Sequence, residues 1–229
     1  MRRASVVAVI VVSVWVVAPA PAGATNECHG LQVCVPVSGP WIVATSAGVE
    51  YQLSCPKRFI VGGLDAELSS RALDIGFEGG LGSPVNPGIT TSGAAVFLGR
   101  FVGRSGVGSF RPHIGCIPAS GGGQRAPTAY QVFKPGKPTM RLVSELAVSP
   151  GTRRVTSSCL TGQRLVRATY AVGFYTFTPP APALIANMSV RQSVHAGKVH
   201  TEVHAGTAFR GLPAVAAIVQ VELLCAVNA

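Results

Sequence analysis

WIVATSAGVEYQLSC (residues 41–55) and ELAVSPGTRRVTSSC (residues 145–159) decide the fold. Each opens on an apolar stretch and breaks at a small-residue turn, Ser46-Ala47-Gly48 in one and Ser149-Pro150-Gly151 in the other. Each then alternates into a cysteine. Apolar residues at every second position mark a strand with one buried face, and Gly or Pro between two such runs marks a turn between strands. After the cysteine come PKRFIVGGLDA (56–66) and LTGQRLVRATYA (160–171), and one added residue in the second copy sets Ile60-Val61 against Leu165-Val166. Each copy closes on another alternating strand. One carries Phe110, Pro112, Ile114 and Cys116 on a single face; the other carries Val219, Val221, Leu223 and Cys225. The order of patterns repeats although identity is low, so the chain reads as one β motif used twice.

Strand signals fall at 32–37, 41–44, 49–55, 59–61, 72–77, 95–102, 110–117, 140–143, 154–158, 164–177, 184–194, 198–204 and 216–227. Gly and Pro clusters punctuate them at sheet-like spacing. Ala66–Leu73 is the best short-helix candidate, and no stretch keeps helical periodicity longer. In the last strand Gln220 and Glu222 fall opposite Val219, Val221 and Leu223 and read as its solvent face. The expectation is an all-β protein of two tandem β-sandwich-like modules, 25–119 and 140–229, each closed by a disulfide and each folding independently. SGGGQRAPTAYQVFKPGKP (120–138) has linker composition, giving a linker over 120–139. The immunoglobulin pattern is absent: no Trp follows Cys55 or Cys159 at core-strand distance, and positions 114 and 223 are Ile and Leu rather than Tyr.

The N-terminus predicts export. Arg2 and Arg3 precede an apolar run over 6–17, and Ala22-Gly23-Ala24 supplies small residues for cleavage, the layout of a signal peptide over 1–24. The run is short for a membrane span, which takes about 20 residues, so no span is expected after cleavage. The six cysteines, 28, 34, 55, 116, 159 and 225, all lie beyond it, and an even count in an exported chain implies disulfides. Six cysteines allow fifteen connectivities. The repeat favours Cys55–Cys116 and Cys159–Cys225, leaving Cys28–Cys34 as a local N-terminal loop. Loss of Arg2 and Arg3 leaves seventeen Lys and Arg against nine Asp and Glu, a charge that draws an exported protein to anionic polymers. Export makes nucleic acid a poor partner.

YQLSCPKRFIVGGLDA (51–66), HIGCIPASGGG (113–123) and the second Cys-to-Cys segment together resemble exported proteins of high-GC bacteria. Those carry a Cys-Pro…Val-Gly-Gly opening and an alternating strand into a closing Cys. The resemblance covers most of 30–229 and implies no activity. The second copy departs from it, with Arg167-Ala168 where the first has Gly62-Gly63.

Candidate chemistry is sparse. Ile60-Val61-Gly62-Gly63 resembles the mature start of trypsin-like proteases. Yet the mature chain has only Asp65 and Asp74, which precede every His but His29, and it has no Gly-Asp-Ser-Gly loop for a triad. Asp74 and Glu78 stand about 13 Å apart at strand rise, too far for a glycosidase pair, which needs about 5–9.5 Å. His200, Glu202 and His204 alternate on one strand face, and Ala196-Gly197 offers a turn that brings His195 near them. Two His and a carboxylate are a ligand set for a divalent metal, so a metal-dependent hydrolase is the alternative reading; otherwise no cofactor is expected. Arg153, Arg154, Arg164 and Arg167 form the candidate anion-binding group. The favoured reading is a secreted, non-enzymatic protein of the cell envelope or extracellular space, acting in adhesion, envelope structure or ligand binding. Its expected partner is an anionic envelope polymer or an extracellular protein.

Overall fold

A computed structural model describes residues 27–31, 33–79, 93–104, 106–119, 139–209 and 216–227. The expected signal peptide and the segment 120–138 lie outside the described residues. Strands dominate. The first half contains β1 (Val35–Ser38), β2 (Trp41–Ala44), β3 (Val49–Ser54), β4 (Phe59–Leu68), β5 (Leu73–Gly79), β6 (Ala94–Phe101) and β7 (Gly108–Pro118). The second half contains β8 (Thr139–Val148), β9 (Gly151–Ser158), β10 (Gln163–Tyr175), a short helix α1 (Pro182–Ala186), β11 (Met188–His195), β12 (Lys198–Ala205) and β13 (Ala216–Val227). Every stretch expected as a strand contains one. Several boundaries differ: the strands expected at 59–61 and 140–143 run on to Leu68 and Val148. The proposed helix over Ala66–Leu73 is instead the end of β4, a bend and the start of β5. The strand expected from Leu184 begins only at Met188, because Pro182, which lacks a backbone N–H, starts a helical turn there.

The ladders match between the halves. In the first, β7 pairs with β4 on one edge and with β1 and β2 on the other, while β6 lies between β3 and β5. In the second, β13 lies between β10 and β8, and β12 between β9 and β11. All of these pairs are antiparallel. Each half therefore packs a three-stranded sheet against its share of a larger one. Cys55 is bridged to Cys116 and Cys159 to Cys225, with Cα separations of 5.7 and 5.8 Å, and Cys28 to Cys34 at 5.6 Å. The first two bridges close the two sandwiches.

The registers correct the alignment of the halves. Val61 stands opposite Cys116, and the register then slips so that Gly63 meets Gly115. Leu165 stands opposite Cys225, and the same slip brings Arg167 to Leu224. Val61 and Leu165 each lie six residues after the opening cysteine, so no added residue is needed. The extra position is a β-bulge in each half, at Gly62 and at Val166. Gly63 and Gly115 are required by close approach: a Cβ on either would stand 1.8 or 2.1 Å from the Glu27 carbonyl oxygen, where the N-terminal loop crosses β4 and β7.

The two cores differ in character. Tyr51, Phe97, Phe110, Ile42 and Ile114 fill the first, whereas Val199, Val203, Val219, Val221 and Leu223 fill the second. The halves are joined. Ile42 of β2 pairs with Gly173 of β10, and Trp41 with Phe174, so one sheet runs through both. Ala171 and Ile218 project from the second half into the first core. Gln220 and Glu222 are buried at 2% exposure each rather than facing solvent. The Gln220 side chain accepts from Gln52 N (2.7 Å) and donates to Gln52 O (2.9 Å), taking the place of a neighbouring strand on the edge of β3. Its amide also donates to Glu145, which accepts from the Tyr51 hydroxyl. Burial, reinforced by Glu145, holds that phenol far above its ordinary range. Beside the clamp, Arg141 binds both Glu222 and Glu50 (3.0 Å to the latter), and Arg167 binds Glu50 at 2.8 Å. Burial pushes the Glu222 carboxyl above the usual range, against the pull of Arg141.

Candidate functional site

The outer face of the β9–β12–β11 sheet is lined with polar side chains. β12 alternates strictly: Val199, Thr201 and Val203 are buried, and His200, Glu202 and His204 point outward. Residues directly opposite in an antiparallel ladder share a face, so the registers generate ordered rows. Thr152, His204 and Ser189 form one row, Arg154, Glu202 and Arg191 the next. Thr156, His200 and Ser193 follow, then Ser158, Lys198 and His195. Ala196 and Gly197, both at positive φ (48° and 72°), make the expected two-residue turn from β11 to β12.

Within this grid Arg154 Nε donates to Glu202 at 2.5 Å, and the guanidinium holds that carboxyl below its usual range, with Arg191 adding to the effect. The Thr156 hydroxyl meets His200 Nδ1 at 3.0 Å, and the Thr152 hydroxyl meets His204 Nδ1 at 3.0 Å. Two hollows open on the face. One, of about 400 Å³, lies along Arg154, Thr156, Ser193 and His200; the other, of about 220 Å³, lies beside Thr152, Ser189 and His204. Arg191 and Glu202 border both.

The expected metal ligands therefore share a face without converging. At strand rise, His200 and His204 are roughly 13 Å apart along β12, and the carboxylate between them is bound by a guanidinium. His195 sits at the far end, opposite Lys198. Among the described residues no group of three or more His, Cys, Asp or Glu is placed to hold a metal ion. The four arginines of the anion-binding group are also dispersed. Arg154 lies on the outer face, but Arg153, its neighbour on the strand, donates to the Ala147 carbonyl on β8 (2.9 Å). Arg167 is at the joint with Glu50, and Arg164 is exposed near the start of β10. The face instead recruits Arg191 and Lys198, which sequence spacing alone does not associate with Arg154. Only the strand pairing brings the three together.

A second constellation escapes sequence reading because its members are 75 residues apart. Ser38 Oγ is 2.9 Å from His113 Nδ1, and His113 Nε2 is 3.0 Å from Glu67. Glu27 stands 3.9 Å from Nδ1. A hydroxyl, an imidazole and a carboxylate in this order suggest nucleophilic catalysis, which needs substrate to reach the first two. His113 is only 3% exposed. The imidazole serves as a buried polar support that fastens β1 and the N-terminal loop to β7.

No protein-family model matches the chain, and no curated protein or solved structure is significantly similar to it.

Proposed function

We propose that the chain is a secreted, non-enzymatic binding protein of the cell envelope that holds an anionic polymer on the outer face of β9–β12–β11. The observation that carries this reading is the composition of the face. Three cations, Arg154, Arg191 and Lys198, and three imidazoles surround a single carboxylate, with hydroxyls at the row ends. Such a surface attracts anions at long range and hydrogen-bonds them at short range. Three disulfides support an oxidising compartment. Among the described residues no helix is long and apolar enough to cross a membrane. The reading includes cleavage of residues 1–24 and descent of the two halves from one duplicated motif. Matched ladders, bulges and bridges support the latter.

The test compares dextran sulfate with uncharged dextran, and purified cell walls with buffer, over a salt series. Retention on dextran sulfate and walls, lost as salt rises and weakened by Arg154→Ala with Arg191→Ala, is expected. Retention indifferent to salt, or unchanged in the double variant, overturns the proposal.

A further inference from the structure

Away from that face, a cavity opens at the joint between the halves. Its volume is about 440 Å³, within the range of small-ligand sites, roughly 300–1,000 Å³. One wall is the outer surface of β3, β6 and β5, and the other is β10, so both halves contribute. Its charged lining is balanced. Glu50 is bound to Arg167, and Asp74 stands directly opposite Arg100 in the β5–β6 ladder. A lining of two carboxylates and two guanidiniums exerts little net long-range pull on an ion of either sign. At short range it offers strong donors and acceptors side by side. Tyr170, 38% exposed, adds an aromatic surface at one edge, and Thr169 in the wall has a hydroxyl without a hydrogen-bond partner among the described residues. Gly76 keeps the floor open: a Cβ there would meet only Leu98, at 3.7 Å.

We infer that this cavity binds a neutral saccharide. Sugar hydroxyls both donate and accept, which matches alternating carboxylates and guanidiniums. The C–H face of a pyranose packs against an aromatic ring, the role open to Tyr170. A charged ligand would leave one sign of the lining opposed. The site is distinct from the outer face of β9–β12–β11 and does not depend on polyanion binding there.

The full mature chain is titrated by calorimetry with glucose, galactose, mannose, arabinose and N-acetylglucosamine and their oligomers to tetrasaccharides. Glucuronate and glucosamine serve as charged comparators. At least one neutral series binds saturably, with an affinity that changes little with salt. Gly76→Leu fills the cavity without displacing backbone and weakens that binding at least about tenfold, or about 1.4 kcal/mol. Tyr170→Ala weakens it as well. Both variants still melt in one cooperative transition and keep dextran sulfate retention, which separates this site from the outer face. The inference is overturned by no saturable binding across the panel, by tighter binding of a charged comparator, or by neutral-sugar binding that both substitutions leave intact.

Discussion

Ala196 holds φ at +48° in the first position of the turn between β11 and β12. A Cβ in the left-handed region costs roughly 1–2 kcal/mol, and Asn-Gly is the favoured pair for this turn. Ala196→Asn is therefore expected to stabilise by about 1 kcal/mol, raising the melting temperature by about 2–4 °C. No change, or a fall, in a thermal melt would show that the turn is unstrained. Glu222 gives a pH-dependent counterpart. Its native pKa is raised by burial above the ordinary 4.5. Between those two values the native state binds more protons than the unfolded one, so this group's contribution falls as pH rises through the window. Glu222→Gln removes that dependence while Arg141 keeps Glu50. Chemical denaturation across pH should show the variant's advantage over wild type largest near pH 7 and shrinking as pH falls toward 4.5. An advantage that grows on acidification would contradict burial as the cause. The turn at Ala196 is legible in the sequence, but the burial of Glu222 is not. Glu222 alternates with apolar neighbours just as a solvent-facing residue does, and nothing local announces that another sheet covers it. His200, Glu202 and His204 show the converse: their shared face was legible from alternation, but the distance along it, and the guanidinium on Glu202, were not weighed by the pattern.

At the scale of elements, alternation was enough to place the strands and cysteine order enough to pair the bridges, because both depend on local periodicity and on the repeat. What stayed hidden is pairing between distant strands, which no local period encodes. Gln220 is the clearest case. Its amide supplies β3 with the donor and acceptor that a further strand would bring. Truncation strands the Gln52 N–H and carbonyl at the joint, and an unsatisfied buried group costs about 1–3 kcal/mol. Gln220→Ala is expected to destabilise by that amount, whereas Gln192→Ala, whose amide makes only long contacts at 3.3 and 3.4 Å, costs much less. Urea denaturation of the pair measures the contrast; equal losses would mean that the clamp contributes nothing specific. Arg153 donates to the Ala147 carbonyl of β8, the last strand in its sheet order among the described residues, so a basic residue placed in the anion-binding group by its neighbours in sequence is engaged by backbone.

For the whole molecule, the question is whether two bridged sandwiches behave as two domains. Sequence favoured independence, since each half has its own cysteines, turns and apolar face. The joint argues otherwise. One sheet passes from β2 to β10, Ala171 and Ile218 complete the first core, and Glu50, Arg141, Arg167 and Glu222 form a charge network across the boundary. Separating the halves would part Gln220 from Gln52 and Glu50 from Arg141 and Arg167, and open the first core to water. Unfolding should therefore be a single cooperative event. Removing the bridge Cys55–Cys116 with paired Ala substitutions tests this from a distance. The bridge closes a loop of about 60 residues and contributes roughly 4 kcal/mol in the chain-entropy account. If the halves are coupled, hydrogen exchange accelerates in β12 and β13 as well as in β3 and β7, and calorimetry shows one transition at lower temperature. If exchange in β12 and β13 is unaltered and a second transition persists at the wild-type temperature, the shared sheet is only a contact between domains. In that case the cavity at the joint would lack the rigid walls that saccharide binding requires.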